Sequence, residues 1–94
     1  MEEKIIQKTK DLLQSSENIV ITCHKGPDGD AIGSSLALYL YLIKQGKNAK
    51  VIVPDDFPFF LKWLPRNQDI IIYENNKEKS DLFINKADLI FSLD

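Results

Sequence analysis

The sequence predicts an α/β fold, a parallel sheet with helices on both faces, and three observations carry that expectation. Short apolar runs rich in Ile, Val and Leu recur at residues 19–23, 49–53, 70–73 and 87–93. Helix-like or helix-length stretches separate most of them, so the order reads as strand alternating with helix. The first run is apolar throughout rather than at alternate positions, as befits a strand covered on both faces. Right-handed crossovers restrict the topology. Among the orders left, 3-2-1-4 is expected because it sets the fourth strand, with Asp94 after it, beside the first.

Each element has its own justification. Ile5, Ile6, Leu12 and Leu13 fall near helical spacing with Lys and Asp between them, so residues 2–15 read as an amphipathic helix. Ser15-Ser16-Glu17-Asn18 breaks it, and strand one follows at residues 19–23. The next helix is expected from about residue 30 to 45, with Gly46 where a left-handed C-terminal cap is wanted. Strand two, residues 49–53, is stopped by Pro54, and the aromatic-rich segment DDFPFFLKWLPR is closed by Pro65. Strand three is residues 70–73, and the polar residues 74–80 read as a turn into a weak helix around 82–85. Strand four, residues 87–93, precedes Asp94. There is no internal repeat, linker or low-complexity tract. With no helix after strand four to cover it, residues 1–94 read as the first part of a larger domain.

Composition narrows the function. A hydrophobic content of 44% with 28% charged residues is that of an ordinary globular chain. The formal charge of −2 gives no basic footprint for long nucleic acid. Short or mononucleotide substrates stay open, because a metal can supply the positive charge. The single cysteine, Cys23, cannot form an internal disulfide, which suits a reducing compartment. No apolar run approaches the roughly 20 residues that span a bilayer, and MEEKIIQKTK lacks the apolar centre of a signal peptide. A cytoplasmic protein without a membrane partner is expected.

The segment NIVITCHKGPDGDAIGSSLALYL carries most of the chemistry. A strand ends in His24-Lys25-Gly26-Pro27-Asp28-Gly29-Asp30, and a helix begins at once. One imidazole and two carboxylates are thus delivered where open α/β sheets place their ligand sites. Carboxylate oxygens suit hard or borderline divalent cations, and an imidazole moves the preference toward Mn²⁺, Co²⁺ or Fe²⁺. Gly26, Pro27 and Gly29 allow the sharp turn that lets His24, Asp28 and Asp30 converge. Asp30 is expected at or near the N-cap of the helix. The small run Gly33-Ser34-Ser35 would let backbone approach a bound anion or the sheet, and the helix N-terminus is itself a phosphate seat. The competing reading is a plain strand-turn-helix connection in which Asp30 only caps.

Asp94 repeats this logic after strand four. A carboxylate there could bridge two metals roughly 3.5–4 Å apart, as in two-metal phosphoesterases; as a plain loop residue it would do nothing of the kind. Phe57, Phe59, Phe60 and Trp63 read first as core or domain contact, with a base-stacking surface as the alternative. Cys23 reads as a buried structural thiol and Lys77-Glu78-Lys79 as a solvated face. The glycines fit neither the dinucleotide nor the P-loop fingerprint. The EF-hand pattern fails at Ile32 and Tyr39.

On these residues the chain resembles the DHH phosphoesterase superfamily, specifically its short bacterial branch of nanoRNases and pAp phosphatases. The first motif, H-x-x-P-D-G-D-A-I-G-S, is matched residue for residue from His24 to Ser34. Val53-Pro54-Asp55, Leu61-Lys62-Trp63-Leu64-Pro65 and the second motif, Ala87-Asp88-Leu89-Ile90-Phe91-Ser92-Leu93-Asp94, also look like that branch. The resemblance implies a Rossmann-like N-terminal DHH domain with a bimetal site, usually Mn²⁺ with Mg²⁺ or Co²⁺ as substitutes. His24 and Asp28 would hold one metal, Asp30 the other, and Asp94 both. Asp28, Asp30 and Asp94 would be catalytic, with Gly33 and Ser34 near the substrate. The implied reaction releases 5′-mononucleotides from short oligoribonucleotides or phosphate from pAp, in a protein able to form a homodimer. The DHH triplet and the Gly-rich substrate domain of the family are not in these residues, so this stretch alone is expected to be inactive. Alternatives are a cyclic-dinucleotide phosphodiesterase or RecJ-type exonuclease of the same superfamily and, from another class, a non-catalytic metal- or nucleotide-binding module.

Overall fold

In the computed structural model, residues 2–26, 28–57 and 61–93 are described. The elements are α1 (Glu2–Ser15), β1 (Asn18–Cys23), α2 (Gly29–Lys44), β2 (Asn48–Val53), β3 (Ile71–Ile72), α3 (Lys77–Lys86) and β4 (Leu89–Leu93). Every described pairing is parallel and the strand order is β3-β2-β1-β4, the expected one. Register sets Ile21 between Val51 and Phe91, and Cys23 beside Leu93.

The two sheet faces are covered by different helices. Ile19, Ile21 and Cys23 of β1 join Ala49, Val51 and Val53 of β2 in one buried cluster. Against them α2 lays Ile32, Leu36, Tyr39 and Leu42, a stripe at helical spacing. Val20 and Ile52, pointing the other way, are also buried. On that side the Lys50 ammonium stands 5.2 Å from the centre of the Phe83 ring of α3. Ser35 and Ser80 are the small residues by which α2 and α3 approach the sheet. Among the described residues their hydroxyls are buried without a hydrogen-bond partner. Gly33, by contrast, has open space where a Cβ would stand, so close packing on the sheet falls to Ser35 instead.

Helix α2 starts one residue earlier than expected because Asp28, not Asp30, is its N-cap: Asp28 Oδ1 accepts from the Ala31 N–H at 2.9 Å. Its other end closes as the sequence predicts. Gly46 has φ +78°, its N–H donates to the Ile43 carbonyl, and the Lys47 N–H reaches the Leu42 carbonyl. This is a Schellman closure. Helix α1 spans the expected residues. The side chains of Ile5, Ile6 and Leu13, on which its amphipathic reading rests, lie outside the described residues, and Leu12 is half exposed.

The segment between β2 and β4 departs most from expectation. β3 is only two residues long, because Tyr73 turns into the 3₁₀ turn Tyr73–Asn75. The Glu74 N–H donates to the Pro54 carbonyl and Tyr73 Oη to Asp81 Oδ1 at 3.0 Å, drawing the chain off the edge of the sheet. The polar residues after it are not a turn but the first half of α3. Asn76 accepts the first helical bond, from the Ser80 N–H, and Lys77, Glu78 and Lys79 are exposed, as expected of a solvated face. Farther back, Tyr39 Oη donates to Asp69 Oδ2 at 2.9 Å, and the Arg66 guanidinium pairs with the same carboxylate. That fastens the β2–β3 connection to α2.

Strand four begins at Leu89 because Asp88 is committed to β1. Its Oδ2 accepts from the Glu17 and Asn18 N–H groups, both at 3.0 Å, and its own N–H donates to the Asn18 carbonyl at 2.7 Å. These donors hold the Asp88 carboxyl below the usual carboxylate range. A folded-state value depressed in this way contributes stability above the unfolded value of about 3.9 and loses it as pH falls through the folded one. Asp88→Ala should therefore lower the melting temperature at pH 7. Melting curves of the parent and the variant should draw together as the pH is lowered past the folded-state value, where the carboxylate is protonated in both states.

Candidate active site

Parallel strands align their carboxyl ends along one edge, and the loop after β1 stands in the middle of that edge because β1 is flanked by β2 and β4. His24 leaves the strand directly after Cys23 and is exposed. Gly26 has φ +71°, the left-handed region in which L side chains are strained. It turns the chain back toward α2. Asp28 is extended, with φ −95° and ψ −176°, as an N-cap must be. Asp30 follows in the first helical turn, where its charge suits the positive end of the helix. Asp28 and Asp30 are both exposed. Pro27 and Asp94 lie outside the described residues.

A second carboxylate-bearing turn meets this loop. Asp55, two residues beyond the end of β2, accepts the Gly26 N–H on Oδ1 at 2.9 Å. Burial pushes the Cys23 thiol up from its ordinary range, and the charges of Asp55 and Asp28 push it further. Cys23 is thus a protonated, buried thiol in the floor of the site, with two carboxylates in electrostatic reach.

The aromatic segment borders the same place. Phe57 is buried in the core, as the packing reading expects; Leu61 is buried too, and a Cβ on Gly29 would stand 3.7 Å from its Cδ2. Lys62 pairs with Asp56 at 2.8 Å and lies over the Phe57 ring. Trp63, two residues on from Leu61, is 75% exposed. Phe59 and Phe60 lie outside the described residues.

The donor chemistry fits a divalent cation. One imidazole and two carboxylates are exposed on one short loop and the first turn of α2, and the described ion pairs, Lys62–Asp56 and Arg66–Asp69, draw on other acids. Among the described residues, however, no three His, Cys, Asp or Glu side chains stand together as a cation cage. The structure thus gathers His24, Asp28 and Asp30 at one strand end without closing them around a point. The sequence reading gave Asp55 no role in the site. Its signal was a second strand-Pro-Asp boundary, Val53-Pro54-Asp55, aligned with the first.

Residues 18–94 match the model of the DHH family, N-terminal domain. The chain belongs to the DHH family. Its members are phosphoesterases. Over 51 residues it is 49% identical to the bifunctional oligoribonuclease and PAP phosphatase NrnA of Thermus thermophilus, a stretch covering 54% of this chain and 15% of that protein. The crystal structure of an exopolyphosphatase-related protein from Bacteroides fragilis superposes with a TM-score of 0.95 at 46% identity, covering 98% of this DHH chain and 27% of the other. This chain therefore spans well under half the length of both relatives. No helix among the described residues is long and apolar enough to cross a membrane.

The Gly26 turn gives a direct check on the loop. Gly26→Ala should destabilise the chain by about 1–2 kcal/mol, the cost of a Cβ in the left-handed region. Gly26→Asn should cost less, since Asn tolerates that region. Paired denaturant titrations measure both.

Proposed function

We propose that this DHH domain belongs to a Mn²⁺-dependent phosphoesterase that hydrolyses short oligoribonucleotides to 5′-mononucleotides and removes phosphate from pAp. The observation that carries it is the exposed His24, Asp28 and Asp30 set at a strand end that opens into a 16-residue helix. The similarity to a protein described as both oligoribonuclease and PAP phosphatase supports the choice of substrates. In this reading His24, Asp28, Asp30 and Asp94 are the metal ligands, and a cytoplasmic setting supplies nucleotide substrates. Mg²⁺ or Co²⁺ could replace Mn²⁺, and the whole protein could be a homodimer.

When bound, the metals would supply Lewis acidity and lower the pKa of water enough to provide a hydroxide nucleophile at neutral pH. The chain's own residues do the rest. Asp28 fixes the start of α2 through the Ala31 N–H, so its other oxygen is held at a set height above the strand end. The Gly29 and Asp30 N–H groups, ahead of the Ala31 N–H that Asp28 takes, have no acceptor within the helix and suit a phosphate oxygen. Gly33, with open space at its Cα, and exposed Ser34 lie in the first two turns, where a substrate phosphate could approach backbone closely.

The test is hydrolysis by the native protein with Mn²⁺, comparing pAp, a short RNA, a cyclic dinucleotide and a short polyphosphate. Release of phosphate from pAp and of mononucleotides from the RNA is expected, with Asp28→Ala and Asp30→Ala reducing turnover by at least about 10²-fold. Near-normal Mn²⁺-dependent turnover in either variant would defeat the metal assignment. Exclusive turnover of the cyclic dinucleotide or the polyphosphate would replace the substrate.

A further inference from the structure

We propose that Asp55 is a positioning residue: by accepting the Gly26 N–H it holds the loop that carries His24 and Asp28 in the shape that binds the metal. The inference rests on the metal reading above and extends it to a residue on a different strand.

Five residues, 24–28, link the end of β1 to the start of α2, and the donors His24 and Asp28 stand at the two ends of that link. The ends themselves are fixed. On one side Thr22 is paired with Ile52 and Cys23 with Leu93. On the other, Asp28 is tied to Ala31 at 2.9 Å. The middle of the link turns at Gly26, the residue type with the greatest backbone freedom. The described restraint on that turn is the Asp55 carboxylate, 2.9 Å from the Gly26 nitrogen. A hydrogen bond to an ionised acceptor is about twice as strong as a neutral one. Asp55 is placed by the end of β2, the direct neighbour of β1, so the restraint is anchored in the rigid sheet.

The role differs from ligation, in which the negative charge on Asp55 would be what matters. In a positioning role the acceptor oxygen matters, and an amide oxygen supplies one. Metal sites depend on such outer contacts, whose loss typically costs about 10–100-fold in affinity.

The experiment compares the native protein with Asp55→Ala, Asp55→Asn and Asp28→Ala by calorimetric titration with MnCl₂ in the absence of substrate. Metal-free melting curves confirm that each variant is folded. Asp55→Ala should weaken Mn²⁺ binding about 10-fold or more, and Asp55→Asn should stay within about threefold of the parent. Parent-like binding by Asp55→Ala would overturn the proposal. So would equal loss in both Asp55 variants, since charge rather than hydrogen-bond acceptance would then be at work. Asp28→Ala separates the two readings. If it alone loses Mn²⁺, only the positioning role fails; if it too binds like the parent, the metal site itself fails.

Discussion

Strand β1 is paired on both edges and buried on both faces, and the rest of the molecule is arranged around that fact. Ile19 and Ile21 pack under α2, Val20 faces the opposite side, and β2 and β4 satisfy the backbone on either edge. A strand so enclosed has no freedom to shift register, because a one-residue slip would exchange its two faces. Its carboxyl end is therefore the most rigidly placed point on that edge of the sheet. The chain puts its most chemically loaded residues directly after it. Asp88 serves the same end from below, joining the start of β4 to the start of β1 and so fixing the strand that leads to Asp94.

The capping role of Asp28 is compatible with the ligand role proposed for it only because a carboxylate has two oxygens. Oδ1 is spent on the Ala31 N–H, which starts α2, and the other oxygen remains for a ligand. Had Asp30 been the cap, as the sequence alone suggests, α2 would begin later and the loop would be longer. The earlier start shortens the connection and brings the helix N-terminus closer to the strand end. Asp55 then acts across the sheet on the residues in between.

Much of this was legible in the sequence, and the failures have physical causes. Strand identity followed from consecutive apolar runs, which report burial, and strand order from the handedness of crossovers together with the need to set Asp94 beside the first strand. The boundaries of β3 and α3 did not, because a polar surface segment has no burial pattern to mark it. Tyr73 reads as a strand residue by propensity, yet its hydroxyl finds Asp81 and its backbone turns away. Lys77 to Ser80 read as a loop by polarity, whereas Ser80 is in fact a buried point of helix packing. At the site, the His24–Ser34 motif marked the candidate donors at once. Asp55 escaped notice because its role is a contact 29 residues away in the chain, which no local spacing encodes.

The electrostatics of the strand end bear on what the site can accept. Asp28 and Asp30 follow the loop and Asp55 is bonded to it, the charges of Asp55 and Asp28 reach Cys23, and the net charge of residues 1–94 is negative. A phosphate approaching that edge meets carboxylates before anything else, with the α2 N-terminus as a partial counterweight of roughly half a charge. That is too little to attract a polyanion by itself. On the proposed reading, a site of this composition would take phosphate only once cations had reversed its sign, and metal loading would then precede substrate binding as well as the chemistry. On the same reading the proposed substrates are small ones. A long nucleic acid needs a basic track for its backbone, whereas a dinucleotide or pAp needs only the one point of positive charge that a filled metal centre would provide.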